Sequence, residues 1–347
     1  MALSNRVVLL CLISMASSSG VPTLKLNNGG KMPAIALGTF LGFDQNGPVK
    51  SQNKQLRDVV MEAIEVGYRH FDTAAIYDTE EEIGEAIKLK IKEGAVKRED
   101  LFVTTKLWNT HHKRSQVADA LKTSLDKLGL DCVDLYLMHW PIGLNKILQE
   151  DYTHSSTDFM ETWRGLEDAV SLGLAKGIGV SNFNREQLQR VLDEGAVKPV
   201  ALQIEVHPQI SQKELVTFAQ SQGLVVMGYS PFGSLVRRFG MMFPGPRIDD
   251  PTLVKAAERH GKTTPQVVLR WLVDRNIVPV PKTTNFKRLR ENIDIFDFAL
   301  EKSEIEDIDK FDSKTRFTLP SFWQSHPYYP FEKVENPIAD PFVKGQK

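Results

Sequence analysis

The sequence contains little cysteine and no excess charge of either sign. Only two of its 347 residues are cysteine, Cys11 and Cys132, and two cysteines cannot build a disulfide framework. Lysine and arginine number 43 against 44 acidic residues, which argues against a nucleic-acid coat or a polybasic membrane binder. With 25% charged and 41% hydrophobic residues, the chain has an ordinary globular composition, so disorder, collagen and coiled coil are excluded for the whole chain.

Long apolar runs are also missing, and the one notable run is at the N-terminus. Arg6 precedes an apolar stretch at 7–15, and small residues follow at 16–20. This order is typical of a secretory signal peptide, and the run is shorter than the roughly 20 residues that span a bilayer. We therefore predict a signal peptide over 1–20, cleaved after Ser18, Ser19 or Gly20, and an exported protein. The alternatives are a cytosolic extension or a buried first strand, with the protein in the cytoplasm.

The glycine-rich fingerprint G-x-G-x-x-G of doubly wound dinucleotide-binding sheets is absent. After a hairpin pattern with its turn at 27–30, short apolar runs alternate with amphipathic stretches. The runs are 34–37, 70–72, 101–106, 133–139, 177–180, 201–205, 225–229 and 277–280. The helical patterns are 55–66, 80–92, 115–128, 158–172, 185–194, 211–222, 251–274 and 285–295. Eight strand–helix units without the fingerprint favour a (β/α)8 barrel, with a single domain over 21–347.

Polar residues with reactive side chains follow three consecutive strand patterns. Asp72 ends the second and leads to Tyr77, while Lys106 and His139 end the third and fourth. Each has an ordinary alternative: Asp72 as a helix cap, Lys106 as a solvated cation, and Tyr77 and His139 as packing residues. Active sites of barrels lie at the carboxyl ends of the strands, so four such residues on one rim favour a site.

These four side chains suit proton donation to a carbonyl oxygen. A phenol is a weak acid at neutral pH unless a nearby cation stabilises its phenolate. We expect Lys106 to supply that cation, Asp72 to orient Lys106, and neutral His139 to donate a hydrogen bond to the carbonyl. Tyr77 would then protonate the oxygen as hydride reaches the carbon.

Aromatic residues and histidines near the same rim have different interpretations. Phe40, Trp108 and Trp140 predict an apolar substrate pocket that excludes water. The adjacent His111 and His112 are interpreted as a solvated pair in a loop, so we predict no metal site.

The order and spacing of six motifs resemble the aldo-keto reductases over nearly the whole chain from about Thr23. They are GYRHFDTAAIY, MHWP, GVSNFN, QIEVHP, GYSPFG and VPKT. The resemblance implies a barrel monomer that uses NADPH, with a catalytic tetrad on Asp72, Tyr77, Lys106 and His139. All four positions carry the residue of the family, so the resemblance gives no sign of an inactive copy.

The same resemblance implies the residues that bind the cofactor. It implies that Ser181, Asn182 and Gln203 bind the carboxamide of the nicotinamide and that Tyr229 stacks on the nicotinamide ring. Ser230 and Ser234 lie in the loop implied to fold over the pyrophosphate. Those implied at the adenosine end are Lys282, Thr283, Thr284, Arg288, Glu291 and Asn292. For Lys287 and Arg290 we keep the interpretation of a solvated helix face.

One residue and three segments depart from the common pattern of the family and bear on the substrate. Phe40 replaces a frequent tryptophan, Phe232 and Phe239 follow the seventh strand, and the polar loop 142–157 and the aromatic tail 316–329 are long. We expect Phe40, Trp108, Trp140 and Phe239 to contact a bulky apolar carbonyl compound. Together with the signal peptide, these features resemble secreted insect members of the family and imply a ketosteroid of the 3-dehydroecdysone type, reduced to the 3β-alcohol.

Two other functions stay open from the sequence. One is a broad-specificity aldehyde and ketone reductase that serves detoxification with the same chemistry. The other is a non-catalytic NADPH-binding subunit that senses redox state, which the intact tetrad argues against.

Overall fold

A computed structural model describes residues 20–44, 47–148, 151–236 and 244–338. The predicted signal peptide, apart from Gly20, lies outside the described residues, as do Cys11 and Phe239. Within the described part of the chain, no helix is long and apolar enough to cross a membrane.

The centre of the fold is a sheet of eight parallel strands that closes into a barrel, which confirms the predicted (β/α)8 fold. Its strands are β3 (Leu37–Gly38), β6 (His70–Asp72), β7 (Phe102–Leu107), β8 (Leu135–Met138), β11 (Ile178–Ser181), β12 (Ala201–Glu205), β13 (Val225–Tyr229) and β14 (Ile277–Val280). They pair in chain order, and a parallel bridge from Gly38 to Lys282 connects the first strand to the end of the last. The carboxyl ends of the strands therefore form one continuous rim.

Helices cover the outside of the barrel because each buries an apolar stripe against the strands. They are α1 (Gln55–Glu65), α2 (Glu80–Lys92), α3 (Arg114–Leu128), α4 (Phe159–Ser171), α5 (Arg185–Glu194), α6 (Lys213–Ser221), α7 (Pro251–His260), α8 (Thr264–Asp274), α9 (Phe286–Ile293) and α10 (Lys302–Asp309). The core therefore has two layers, one inside the barrel and one between the strands and the helices. Along β8, Leu135 and Leu137 pack in the inner layer, and Tyr136 and Met138 pack in the outer layer.

The N-terminal hairpin lies at the opposite end of the barrel from the carboxyl rim. Its strands β1 (Thr23–Lys25) and β2 (Lys31–Pro33) are antiparallel. In the turn between them, the amide of Asn27 donates to the carbonyl of Pro199 at 2.8 Å, and that of Asn28 donates to Lys176 at 3.1 Å. The carbonyls of Lys176 and Pro199 each come just before a barrel strand, so the hairpin is fixed to the amino ends of the strands.

Two sequence predictions about elements need correction. The helical pattern 251–274 is two helices, because Gly261 ends α7 with a φ of 65° and Thr263 caps α8 through the backbone of Gln266. The predicted polar loop 142–157 contains an antiparallel hairpin, β9 (Leu144–Leu148) with β10 (Asp151–His154). A further hairpin, β4 (Phe43–Asp44) with β5 (Gly47–Pro48), and the helix α10 were not predicted.

Candidate active site

Lys106 lies at the centre of the carboxyl rim and is fully buried. Its ammonium donates to the Asp72 carboxylate at 2.6 Å, to the carbonyl of Thr73 at 2.9 Å and to the Tyr77 hydroxyl at 3.3 Å. A buried ammonium without such partners would lose its charge, since transfer from water disfavours the ionised form. Burial lowers the pKa of Lys106 and the Asp72 carboxylate acts in the opposite direction. Asp72 is thus placed to hold the ammonium charged and in position.

Tyr77 follows β6 in a single 3-10 turn that spans Ala75–Tyr77. Its hydroxyl faces Lys106, as expected, but the expected direction of its pKa is not found. Burial raises the pKa of Tyr77 well above the ordinary value for a phenol, and the Asp72 carboxylate raises it further. The hydroxyl therefore holds its proton at neutral pH, which is the state required of a donor. The ammonium at 3.3 Å is placed to stabilise the phenolate that donation leaves.

His139 follows β8 and is neutral in this site. Its side chain is buried, and burial together with the Lys106 ammonium lowers its pKa well below the usual value. The centroid of its ring lies 5.6 Å from that of Tyr77. A neutral imidazole beside the phenol can donate a hydrogen bond to a carbonyl oxygen without competing for the proton.

The residues implied at the nicotinamide are joined to the tetrad by their own hydrogen bonds. Gln203 donates to Asp72 at 2.6 Å, and Asn182 donates to the carbonyl of His139 at 3.0 Å. The Tyr229 hydroxyl donates in turn to the side chain of Asn182 at 2.7 Å. Ser181 is buried beside them and its hydroxyl accepts from Asn182 at 3.2 Å. These contacts bring the four side chains together at one edge of the tetrad.

The residues implied at the adenosine end lie where β14 leads into α9. Lys282 and Arg288 are exposed, and neither has a carboxylate partner within 4.0 Å among the described residues. An open cavity of about 570 Å³ in the same region is lined by Thr284, Asn285 and Phe286 and, on the α1 side, by residues that include Gln52 and Asp58. Neither cation lines this cavity, but two cations without carboxylate partners suit a phosphate group.

The other residues at this end have mixed surroundings. Thr283 and Asn292 are buried, and Glu291 lies 3.7 Å from Lys287. Lys287 is exposed as expected, whereas Arg290 pairs with Glu62 of α1 and so belongs to a helix–helix contact.

The two serines after β13 differ in their surroundings. Ser230 has a φ of 55°, at the point where the chain leaves the strand. Ser234 is fully buried, and its hydroxyl donates to the carbonyl of Pro246 at 2.7 Å. The side chain of Ser234 therefore stabilises its own loop in this structure and does not face a cofactor.

Aromatic rings surround the free side of Tyr77 and His139. Phe40 lies 4.9 Å from the Tyr77 ring, and Trp108 lies 5.4 Å from the His139 ring. The tail contributes Trp323, which is 6.0 Å from Trp108 and 5.7 Å from Trp140. The aromatic wall is thus formed by four separate segments, and Trp323 of the tail contacts the rings of two of them.

Comparison with known proteins agrees with this geometry. The profile of the aldo/keto reductase family matches residues 34–313. The chain belongs to the aldo/keto reductase family.

Its relatives include aldo-keto reductase AKR2E4 of Bombyx mori, which is 46% identical over 309 residues, covering 89% of this chain and 98% of the relative. Aldo-keto reductase family 1 member A1 of Cricetulus griseus is 40% identical, covering 88% of this chain and 97% of the relative. The crystal structure of AKR2E4 in complex with NADP superposes with a TM-score of 0.84 at 46% identity, covering 90% of this chain and 99% of that one. That of AKR2E5 complexed with NADPH superposes with a TM-score of 0.87 at 43% identity, covering 93% and 97%.

The chain is accordingly an NADPH-dependent oxidoreductase that reduces carbonyl compounds. The residues of the rim fit the cofactor: side-chain amides and a tyrosine ring suit the nicotinamide end, and Lys282 with Arg288 suits a phosphate. One requirement follows from the contacts above. Because Gln203 and Asn182 already bond to Asp72 and His139, a bound carboxamide must share those contacts or replace them.

Two buried polar residues near the rim were not singled out from the sequence. Glu205 ends β12, two positions after Gln203, and is fully buried; Gln209 follows it and is also buried. Residues two apart in a strand face the same side of the sheet. The carboxylate of Glu205, two positions after Gln203, could therefore have been predicted from the sequence to lie at the rim. No comparable signal marks Gln209, because it lies after the strand.

Proposed function

We propose that this reductase acts on a bulky apolar ketone, a ketosteroid of the 3-dehydroecdysone type, and forms the 3β-alcohol. The observation that supports the proposal is a cluster of aromatic rings beside Tyr77 and His139. Phe40 packs against Tyr77, Trp108 packs against His139, and Trp323 packs against both Trp108 and Trp140. Large flat rings bury much apolar area against a rigid polycyclic substrate, whereas a sugar would leave its hydroxyls unpaired there.

Each member of the tetrad has a distinct role in this proposal. Tyr77 is the general acid and gives its proton to the carbonyl oxygen. Lys106 stabilises the resulting phenolate, Asp72 holds Lys106 charged, and His139 orients the carbonyl oxygen through a hydrogen bond. Bound NADPH supplies the hydride that adds to the carbonyl carbon.

The surroundings of the site contribute the cofactor preference and the exclusion of water. Lys282 and Arg288 bind the 2′-phosphate, which distinguishes NADPH from NADH. Ser181, Asn182, Gln203 and Tyr229 hold the nicotinamide end. The aromatic wall keeps water from the carbonyl, so the proton comes from Tyr77 rather than from solvent.

A panel of carbonyl substrates tests the proposal by NADPH oxidation, with Tyr77→Phe as the control for background oxidation. We expect kcat/KM for a 3-ketosteroid to exceed that for small aldoses by at least about 100-fold, the scale of a few kcal/mol of apolar contact. Comparable values for steroids and aldoses would overturn the substrate. Even turnover across all aldehydes and ketones would indicate a detoxifying reductase, and tight NADPH binding without turnover would indicate a redox-sensing subunit.

We also propose that the mature protein is exported and monomeric. The order of residues at 1–20 supports export, and the tetrad lies within one chain. N-terminal sequencing of the protein from culture medium should begin at residue 19, 20 or 21, and size-exclusion chromatography should give one chain per particle. Retention of Met1 in cells would contradict export.

A further inference from the structure

Three buried threonines near the start of α2 form one chain of hydrogen bonds. Thr39 follows β3, Thr73 follows β6 and Thr79 precedes α2, and none of them is more than 1% exposed. The hydroxyl oxygen of Thr79 lies 3.1 Å from that of Thr73 and 3.3 Å from that of Thr39. The hydroxyl of Thr39 donates to the carbonyl of Asp72 at 2.9 Å. The chain therefore joins the ends of two barrel strands to the beginning of a helix.

The number of protons sets the direction of this chain. A threonine hydroxyl has one proton to donate and can also accept. Since the proton of Thr39 is used on the carbonyl of Asp72, Thr79 must be the donor to Thr39. The proton of Thr79 is then used as well, so Thr73 donates to Thr79. Each of the three buried hydroxyls thus has an acceptor, and Thr79 is the middle link.

The chain closes across the turn that carries Tyr77. It begins at Thr73 and ends at Asp72, whereas Thr79 lies on the other side of the turn. Between Tyr77 and Thr79, Asp78 has a φ of 55°, a left-handed conformation that few residues with a side chain adopt. The hydroxyl of Thr79 therefore fixes the point at which the chain leaves Tyr77.

The same strand end holds Lys106. Its ammonium donates to the carboxylate of Asp72 at 2.6 Å and to the carbonyl of Thr73 at 2.9 Å. The threonine chain thus attaches the turn of Tyr77 to the two residues that hold the ammonium. The separation of 3.3 Å between the ammonium and the phenol depends on that attachment.

Thr79 does not have the ordinary role of a threonine before a helix. Such a residue usually accepts a hydrogen bond from a backbone amide of the first turn, but the side chain of Thr79 makes no such bond. The next residue attaches α2 to the barrel instead, because the Glu80 carboxylate accepts from the hydroxyl of Thr105 in β7 at 2.6 Å. The hydroxyl of Thr79 is thus engaged with the turn and not with its own helix.

We propose that Thr79 is a positioning residue for the reduction: its hydroxyl holds the turn of Tyr77 so that the phenol lies beside the Lys106 ammonium. The inference rests on the proposed role of Tyr77 as the general acid. The proton of Thr79 is committed to Thr39, so Thr79 acts through the turn and does not donate to the substrate.

The test is Thr79→Val, which keeps the shape of the side chain and removes the hydroxyl. The measurement is the rate of NADPH oxidation in a single turnover with a saturating small aldehyde. We expect this rate to fall on the order of tenfold, because proton transfer is sensitive to small displacements of the donor. The dissociation constant of NADPH, measured by fluorescence titration, should stay within about twofold of the wild-type value.

Thr79→Ser separates hydrogen bonding from packing. Serine keeps the hydroxyl and loses the methyl group, so we expect a rate within about twofold of wild type. A residue needed only for packing would behave in the opposite way, since valine would replace it well and serine would leave a cavity.

Thr73→Val is the second variant and perturbs the fold less. It removes the first donor of the chain, and Thr79 still donates to Thr39, so no hydroxyl proton loses its acceptor. It should slow the single turnover in the same direction even if Thr79→Val does not fold.

Thr162→Val is the matched control. Thr162 is a fully buried residue of α4 whose hydroxyl donates to the carbonyl of His112 at 2.7 Å. The variant loses a buried hydroxyl of the same kind in another part of the fold, so its rate should equal that of the wild type.

Three results would overturn the role of Thr79. They are wild-type rates in Thr79→Val or Thr73→Val, a rate in Thr79→Ser as low as in Thr79→Val, and an equal loss in Thr162→Val. Because the aldehyde is small, none of them depends on the steroid proposal. Failure of the proposed general acid is recognised separately, since Tyr77→Phe would then retain turnover.

Discussion

At the scale of single residues, Lys106 is the buried cation that connects the candidate catalytic side chains of Asp72 and Tyr77. Its ammonium contacts a carboxylate, a backbone carbonyl and a phenol within 3.3 Å, and it is fully buried. Burial and Asp72 both raise the pKa of Tyr77, so the general acid of the proposed mechanism holds its proton before the substrate binds. Its strength as a donor depends on the stabilisation of the product phenolate by Lys106.

Replacement of Tyr77 by phenylalanine should remove the proton donor and leave the cofactor site intact. We expect kcat to fall by about 10²–10⁴-fold, the usual contribution of a positioned general acid. The dissociation constant of NADPH should not change, which fluorescence titration can measure. Turnover near the wild-type value would show that another group donates the proton.

Arg288→Ala should discriminate between the two nicotinamide cofactors. Arg288 is exposed and has no carboxylate partner among the described residues, so its removal costs no internal ion pair. We expect NADPH binding to weaken by about 10- to 100-fold, the scale of a charge-assisted bond, and NADH binding to change little. Equal losses for the two cofactors would place Arg288 away from the 2′-phosphate. Lys287→Ala, at the neighbouring exposed position of the same helix, is the control.

At the scale of elements, the C-terminal tail completes the aromatic wall beside Tyr77 and His139 through Trp323. The tail contains little regular secondary structure. The Glu205 carboxylate of β12 anchors it by accepting hydrogen bonds from the backbone amides of Phe317 and Thr318. The ring of His207 stacks on Phe317 with centroids 4.8 Å apart, and its Nε2 bonds to Glu205 at 2.9 Å. A buried carboxylate thus aligns a segment that is distant in sequence.

Glu205→Gln should loosen the tail and affect bulky substrates selectively. Glutamine would present an N–H to one of the two backbone N–H groups, leaving a buried donor unpaired at a cost of about 1–3 kcal/mol. We expect KM for a ketosteroid to rise several-fold with little change in kcat for a small aldehyde. Glu306→Gln, which removes an exposed partner of Lys302 in α10, is the matched control. An equal effect on both substrates would argue against a role through the tail.

Over the whole molecule, several histidines are buried in the neutral form. Burial lowers the pKa of His112 to about 3 and that of His326 to about 4, and it lowers those of His70 and His139 as well. The hydrogen bonds of His326 suit a neutral ring. Its Nδ1 accepts from the backbone of Tyr328, and its Nε2 bonds to the carbonyl of Gly143, so the ring needs a proton on Nε2 only. The prediction that His111 and His112 are both solvated is wrong for His112, which is buried, whereas His111 is exposed. Neither ring nitrogen of His112 has a hydrogen-bond partner within the described chain.

These histidines should make the fold sensitive to acid. Because their pKa values are lower in the folded state than the ordinary 6.5, the unfolded chain binds more protons at mildly acidic pH. The free energy of unfolding should therefore be constant above about pH 6.5 and fall toward pH 4, by up to about 1.4 kcal/mol per pH unit for each histidine. Urea midpoints between pH 7.5 and 4.5 measure this slope.

His112→Leu tests the contribution of one histidine to this slope. Leucine removes a titrating group that makes no side-chain hydrogen bond among the described residues. We expect a shallower loss of stability with acid, by up to one proton. Curves for the variant and the wild type that remain parallel from pH 7.5 to 4.5 would show that His112 is not buried neutral.

The sequence by itself determined the barrel and the family, and it predicted that the four proposed catalytic residues lie at one rim. Strand–helix alternation is a local pattern, and residues such as Asp72, Lys106 and His139 come at strand ends that any barrel brings to one rim. The end of α7 at Gly261 also depends on local sequence. The prediction missed it because the helical spacing of apolar residues continues on both sides of Gly261.

Only the tertiary structure decided the electrostatics and the supports of the site. The direction of the Tyr77 pKa depends on burial, which is a property of the packed site and not of a motif. The Gln203–Asp72 bond joins residues 131 positions apart, and the hydrogen bonds of Thr79 and Glu205 also join separate segments. Such contacts depend on which side chains the closed barrel places within hydrogen-bond distance, and no local pattern along the chain records that distance.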